Sequence, residues 1–130
     1  IRLRNIQDET GGFLAFIPLE YQVGMTKLRP RHTPAMDDLK MIAAARLMLD
    51  NIKYIKSYWV MLGAATASIG LNFGANDLDG TIGKERIAHA ALAESPAGQA
   101  RESMASSIRD ARRIPVERDA LYNEIKVYDH

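Results

Sequence analysis

The sequence predicts an α/β fold: the carboxy-terminal portion of a (β/α) TIM-type barrel, about three parallel strands with flanking helices and a helical C-terminal cap. Three observations predict it. The apolar pattern alternates strictly between helical and extended, running helix, strand, helix, strand, helix, strand and then helices. Such alternation implies parallel strands joined by right-handed crossovers. The first strand candidate, Phe13 to Ile17, is a continuous apolar run, the pattern of a strand covered on both faces. Only three strands are present, which would leave two open edges and a bare inner face. Further strands in a longer parent, closing a barrel, are the simplest remedy.

Each element has its own signal. Ile1, Leu3 and Ile6 alternate with polar residues in an opening helix to about Asp8, and Thr10-Gly11-Gly12 stops it. Pro18 ends the first strand because proline cannot donate to a central ladder. Leu19 to His32 is a loop, long for a compact αβ unit and therefore a candidate for function. Thr33-Pro34 reads as N-cap and first helical position, with Asp37 and Asp38 complementing the helix dipole. Leu39, Ile42, Ala43 and Leu47 give one face of that helix, which runs to about Asp50-Asn51. Its methionines read as core filling.

Tyr54 to Met61 is the second strand, rich in aromatic and β-branched residues. Period two sets Ile55, Ser57 and Trp59 on one face and Lys56, Tyr58 and Val60 on the other, with either face free to point inward. Gly63 breaks it. Ala64 to Leu71 is a helix of small residues that can pack closely on a sheet, and Gly74 closes it. Asp77-Leu78-Asp79 is a very short third strand. Ile82 to about Leu92 and Gln99 to about Ala111 are helical, separated by Ser95-Pro96-Ala97-Gly98. Pro115 to Asp119 starts a terminal turn or short helix, and Tyr122 to Tyr128 is a short extended segment.

The totals exclude several function classes. With 17 basic and 16 acidic residues the net charge is +1, which gives no reason to expect nucleic acid or an anionic membrane as partner. There is no cysteine, so no disulfide, thiol nucleophile or cysteine-ligated metal can be built from this chain. No apolar run reaches the roughly 18 to 20 residues that span a bilayer, and no signal-peptide pattern is visible, so the expected location is cytoplasmic. His32, His89 and His130 lack metal-motif spacing. Gly80-Thr81-Ile82-Gly83-Lys84 matches neither the dinucleotide fingerprint nor the phosphate loop. No serine has nucleophile-elbow surroundings. The chain opens on Ile1 in what reads as the end of a helix, which suggests a piece of a longer protein.

The strand ends remain. In α/β folds, ligands sit at the carboxyl ends of strands. Phe73-Gly74-Ala75-Asn76-Asp77-Leu78-Asp79-Gly80-Thr81 sets an amide, two carboxylates and a hydroxyl at one such end. Carboxylates accept from hydroxyls or an ammonium, and an amide does both. The two aspartates would equally serve as caps of the following helix. Pro18, Glu20 and Trp59 end the other two strands and would face the same mouth, although Trp59 also suits a core or interface.

Four segments in order resemble a known family: Gly11-Gly12-Phe13-Leu14-Ala15-Phe16-Ile17-Pro18-Leu19, Ala45-Arg46-Leu47-Met48-Leu49-Asp50-Asn51-Ile52, Ser57-Tyr58-Trp59-Val60-Met61-Leu62-Gly63 and Phe73 to Thr81. They resemble the carboxy-terminal part of radical S-adenosylmethionine (radical SAM) enzymes of the menaquinone and deazaflavin pathways, and within that group the aminofutalosine synthase (aminodeoxyfutalosine synthase) family. Ile114-Pro115-Val116-Glu117-Arg118-Asp119-Ala120-Leu121-Tyr122-Asn123 also suits that family. The resemblance implies a β/α barrel whose amino-terminal part carries cysteines for a 4Fe–4S cluster. Residues 1–81 would be its last three β/α units and 82–130 its closing helices and tail. It implies a transferase that adds the 5′-deoxyadenosyl radical of S-adenosyl-L-methionine to 3-[(1-carboxyvinyl)oxy]benzoate, giving 6-amino-6-deoxyfutalosine, with an external one-electron reductant.

On that resemblance Phe16, Pro18 and Asn76 are expected near the cofactor, and Glu20, Trp59, Asp77, Asp79 and Thr81 near the substrate. No residue of this chain is expected to hold metal, no catalytic residue is assigned, and the piece alone should not cleave S-adenosylmethionine. Open strand edges would favour homo-oligomers. The alternatives are the dehypoxanthine futalosine cyclase or deazaflavin synthase subunit of the same group, or a non-catalytic α/β binding or assembly module.

Overall fold

The computed structural model describes residues 1–21, 33–80 and 99–128. The helix expected at Ile82 to Leu92, most of the Leu19 to His32 loop, Thr81 and the three histidines lie outside them.

The opening helix, α1 (Arg2–Thr10), ends on Gly11 in the left-handed region (φ 58°), whose N–H returns to the Gln7 carbonyl at 2.8 Å. Gln7 then binds the chain on either side of it: its amide donates to the carbonyls of Phe13 and Asn51 and accepts from the Phe13 N–H. Strand β1 (Ala15–Phe16) pairs in parallel with β2 (Tyr54–Ile55), setting Ala15 beside Tyr54 and Phe16 beside Ile55. A further parallel bridge joins Lys56 to Asp77. Three strand segments therefore run parallel in chain order, linked by α2 (Ala35–Met48) and, after β2, by α3 (Trp59–Leu62) and α4 (Ala64–Gly70).

The strands are shorter than the sequence suggests, and among the described residues they form an open row rather than a closed barrel. Apolar content marks what is buried and does not mark where the ladder ends. The clearest correction is at Trp59 to Met61, expected to finish the second strand. The last ladder bond is from the Ser57 N–H to the Asp77 carbonyl at 2.8 Å, and the N–H groups of Met61 and Leu62 both turn back to the Tyr58 carbonyl at 3.1 Å. Neighbours Trp59 and Val60 are each only 1% exposed. A helical turn can bury two consecutive side chains in one core, whereas a strand would point them to opposite faces. The third strand is likewise reduced to one bridge, because Asp79 turns to φ 72°.

The core lies on one side of the strands. Ile42, Ala45 and Leu49 from α2 and its end pack with Ile52, Ile55, Trp59, Val60, Ala67, Leu71, Ala75 and Leu78. Fully burying one such aliphatic side chain contributes about 1.5–3 kcal/mol. Helix α5 (Arg101–Asp110) joins this core through Met104, and Ala111 beyond its end packs there too. Close approach requires Gly70: a Cβ there would run into Ser57 of the strand segment and lie 3.1 Å from Ile42 Cδ1. Ile55 and Ser57 therefore face the helices, which sends Tyr54 and Lys56 to the opposite face.

The chain does not finish as helix. Pro115 to Asp119, expected as a turn or short helix, contains strand β3 (Val116–Arg118), antiparallel to β4 (Glu124–Val127). The extended reading of Tyr122 to Tyr128 agrees with β4. The pairing slips between Glu117 and Arg118, leaving Ile125 as an extra residue in β4. The hairpin lies against the strand face that the helices leave open: Tyr122 stacks on Tyr54 with ring centres 4.2 Å apart. The predicted helical cap is thus one helix and a hairpin among the described residues.

Candidate functional site

The carboxyl ends of the second and third strand segments carry a compact group of charges. Asp77 is the third segment's ladder residue, with its side chain 5% exposed. Arg118 of β3 grips it with two bonds, Nε to Oδ2 at 2.5 Å and Nη2 to Oδ1 at 3.0 Å. This fork geometry is the strongest form of a guanidinium–carboxylate pair. Asp77 Oδ1 also accepts the N–H of Asp79 at 2.6 Å. Asp79 Oδ1 then takes Lys56 Nζ at 2.8 Å and Arg118 Nη2 at 3.4 Å. Two acids and two bases are thereby neutralised in one group.

The cations are held charged. The hydrogen bond that Arg118 donates to Asp77 raises the Arg118 pKa above its ordinary value, against the cost of burial and with help from the charges of Asp77 and Asp79. Burial disfavours the charge on Lys56, but the Asp79 bond and the nearby carboxylates outweigh it and raise its pKa. The Arg118 guanidinium lies 4.1 Å from the Tyr122 ring centre, a cation–π stack. Tyr122 sits at φ 66°, in a loop held by Asp119, whose Oδ1 accepts the N–H groups of Leu121 and Asn123. The side chain of Asn123 is the largest cause holding Asp119 below the usual carboxylate pKa.

Between this group, α5 and the hairpin lies a cavity of about 430 Å³, lined by Asp77, Arg118 and Tyr122 together with the apolar Leu71, Met104 and Ile108. A second cavity, about 330 Å³, lies at the end of β1 and includes Pro18, Glu20, Asp37, Asp38 and Leu62. Here burial, then the charges of Glu20 and Asp37, push Asp38 up to about 6. Glu20 Oε1 accepts the Thr33 N–H at 3.1 Å.

Of the residues singled out in the sequence, Asp77 and Asp79 come together, and Trp59 reaches the same strand end only from the core, its indole N–H donating to the Gly80 carbonyl at 3.2 Å. Pro18 and Glu20 belong to the second cavity, and Phe16 packs against the helical core while its carbonyl holds the Lys56 N–H. Asn76 is exposed, yet its amide is engaged on both sides. Oδ1 accepts from the Ile55 N–H and from Arg46 Nη2, each at 2.9 Å, and Nδ2 donates to the Lys53 carbonyl at 3.0 Å. Arg46 also donates to the Gly74 carbonyl at 2.8 Å.

Sequence reasoning missed Lys56, Arg118, Tyr54, Tyr122 and Arg46. The available signal for Lys56 was a lysine in the middle of an apolar strand. Nothing local marks Arg118, whose partners are 41 and 39 residues away.

Comparison with known proteins adds a second line. The profile of the family described as the CofH/MqnC C-terminal region matches residues 10–130. Aminodeoxyfutalosine synthase of Thermus thermophilus is 47% identical over 133 residues, covering 98% of this chain and 36% of that protein. A 5-amino-6-(D-ribitylamino)uracil–L-tyrosine 4-hydroxyphenyl transferase of Methanothermobacter thermautotrophicus is 41% identical, covering 95% of this chain and 35% of that protein. Cyclic dehypoxanthine futalosine synthase of Streptomyces coelicolor is 35% identical over 98% of this chain and 32% of its own length. The chain thus spans about a third of the length of these relatives. No helix among the described residues is long and apolar enough to cross a membrane.

Proposed function

The chain belongs to the CofH/MqnC C-terminal region family, and from that membership we propose that it is the carboxy-terminal portion of a radical S-adenosylmethionine transferase of menaquinone biosynthesis. The reaction we assign to the whole enzyme joins the 5′-deoxyadenosyl group to 3-[(1-carboxyvinyl)oxy]benzoate and yields 6-amino-6-deoxyfutalosine. The observation that carries this reading is the 47% identity along 98% of the chain to a protein named aminodeoxyfutalosine synthase. Three parallel strand segments in chain order, with helices on one face, support a place in a β/α barrel whose remaining strands belong to the parent.

A 4Fe–4S cluster is held by thiolates, and the chain contains no cysteine, so none of its residues fits that role. Cluster ligands belong to the rest of the parent, together with the site that receives an electron from an external reductant. S-adenosylmethionine supplies the adenosyl group that enters the product. For the nucleoside, the donor set here does fit. Among the described residues the contacts of Asp79 run through Oδ1, which leaves Oδ2 for a ribose hydroxyl. Pro18 ends β1 in the second cavity and would offer adenine an apolar edge, with Phe16 packed behind it into the helical core. Glu20 and Thr81 would orient the polar ends of the substrate, whereas Asp77, its two oxygens taken by Arg118, would act only through Asp79. Trp59 acts by holding the Gly80 carbonyl, and Asn76 by aligning the second and third strand segments.

The test is direct. The full-length protein carrying this chain, reduced under anaerobic conditions, is given S-adenosylmethionine and 3-[(1-carboxyvinyl)oxy]benzoate, and 6-amino-6-deoxyfutalosine is sought by mass spectrometry. Its formation is the expected result. Turnover of dehypoxanthine futalosine, or of tyrosine with the ribitylaminouracil, would instead assign the chain to one of the two related activities. The 41% identity to the hydroxyphenyl transferase makes the latter the second reading.

A further inference from the structure

We propose that Arg118 is a positioning residue that sets the conformation of the Asp77–Gly80 strand end from the C-terminal hairpin. The inference rests on the proposed function only in its kinetic consequence, since the geometry stands by itself.

Asp79 occupies the left-handed region at φ 72°, which is uncommon outside glycine although aspartate is among the residues that tolerate it, and here several groups fix it there. Its holders converge from separate parts of the chain. The Asp79 N–H is fixed by Asp77 Oδ1, and the Asp77 carboxylate is itself fixed by the Arg118 fork. The Asp79 carboxylate is fixed by Lys56 of the neighbouring strand segment and by the same Arg118 nitrogen that bonds Asp77. One guanidinium therefore bonds both acids.

Arg118 is itself pinned. It lies where the hairpin register slips, it donates from Nη1 to the Asp119 carbonyl at 2.9 Å, and its guanidinium rests on Tyr122. Tyr122 stacks on Tyr54, the residue of β2 that shares a face with Lys56. The loop closes from strand to hairpin and back to strand. Lysine in place of Arg118 would be a point charge without the planar fork that grips Asp77 or the flat face that rests on the ring. The device would place Asp79 and the Gly80 backbone where a ligand at the strand end meets them.

The experiment uses the full-length protein with R118K, R118M and the double variant D77N/R118M. Hydrogen exchange of the peptide covering residues 76–80 is read first, because it needs no turnover. R118M is expected to speed exchange there at least tenfold, and R118K to fall between it and the parent. In kinetics with S-adenosylmethionine, R118M should raise KM at least tenfold and change kcat less than threefold. The neutral pair D77N/R118M removes the stranded buried charge, so it should recover the melting temperature without recovering slow exchange or the low KM. A role in stability alone would return all three in the double variant, and that result overturns the proposal. Parent-like exchange in R118M overturns it too. If the parent protein forms no adenosylated product, the functional reading fails, and the exchange result still decides the role of Arg118.

Discussion

Replacing Asn76 by alanine tests whether its amide serves the fold or a ligand. The substitution removes the acceptor of the Ile55 N–H and of Arg46 Nη2, and the donor to the Lys53 carbonyl. A neutral hydrogen bond contributes about 1 kcal/mol net, and one to a charged group about 1.5–3 kcal/mol. Asn76 itself is exposed, so water takes over part of each lost bond. The Ile55 bond lies in partly buried surroundings and is replaced least well. The expected loss is about 2 kcal/mol.

Aspartate keeps the shared oxygen and strengthens the bond to Arg46, but it sets an oxygen against the Lys53 carbonyl, so N76D should cost about 1 kcal/mol. R46M and N76A delete one shared bond, so their double variant should fall short of the sum of the singles by about 1 kcal/mol. Urea unfolding of the chain reads all of these through Trp59, its only tryptophan and one that is 1% exposed. Unchanged stability in N76A, or strict additivity with R46M, refutes the reasoning. An amide that served only a ribose would leave unfolding unchanged and raise KM for S-adenosylmethionine in the parent enzyme.

Gly74 has φ 106°, and a Cβ there would meet Arg46 Cβ at 2.8 Å and Cγ at 2.9 Å. Backbone strain and overpacking together should make G74A about 3 kcal/mol less stable in urea titration. For Asp38 the folded pKa is raised from 3.8 to about 6. Folding therefore favours its protonated form, and that stability is present below pH 3.8 and lost as pH rises through about 6. D38N should match the parent at pH 3.5 and exceed it at pH 7 by about 1 kcal/mol, the full shift being discounted for water's screening at a partly open site. Thermal unfolding at the two pH values checks the sign. Asp119 works the other way: its folded pKa is depressed, so its contribution is present above the ordinary carboxylate pKa and lost as pH falls through the folded one. D119A should loosen the hairpin turn, read as faster hydrogen exchange at Leu121 and Asn123, at neutral pH and not in strong acid.

How much was legible follows from how far each signal reaches along the chain. Glycine punctuation is local, and it marked the end of α1 at Gly11 and the start of α4 at Gly63, where a positive φ is written into those residues, whereas α4 ends at Gly70, ahead of the expected stop at Gly74. Three parallel strand segments, and the group of polar residues at the end of the third, were readable for the same reason. Extended pattern failed at Trp59 and Val60, because burial of both neighbours against α4 outweighed their strand propensity. The tail failed at β3, because a pairing of Val116 with Val127 is made by the partner strand and is not visible in either segment alone.

The sequence by itself determined the alternation of elements, the family, the absence of any cluster ligand and the presence of two carboxylates at a strand end. Only the tertiary structure decided what those carboxylates meet. Lys56 reaches them from the neighbouring segment, and Arg118 returns to them from a hairpin 41 residues on. Pairing of charges across such a distance is a property of packing. Neither residue carries a mark of it in its own neighbourhood, and the conformation of Asp79 follows from both.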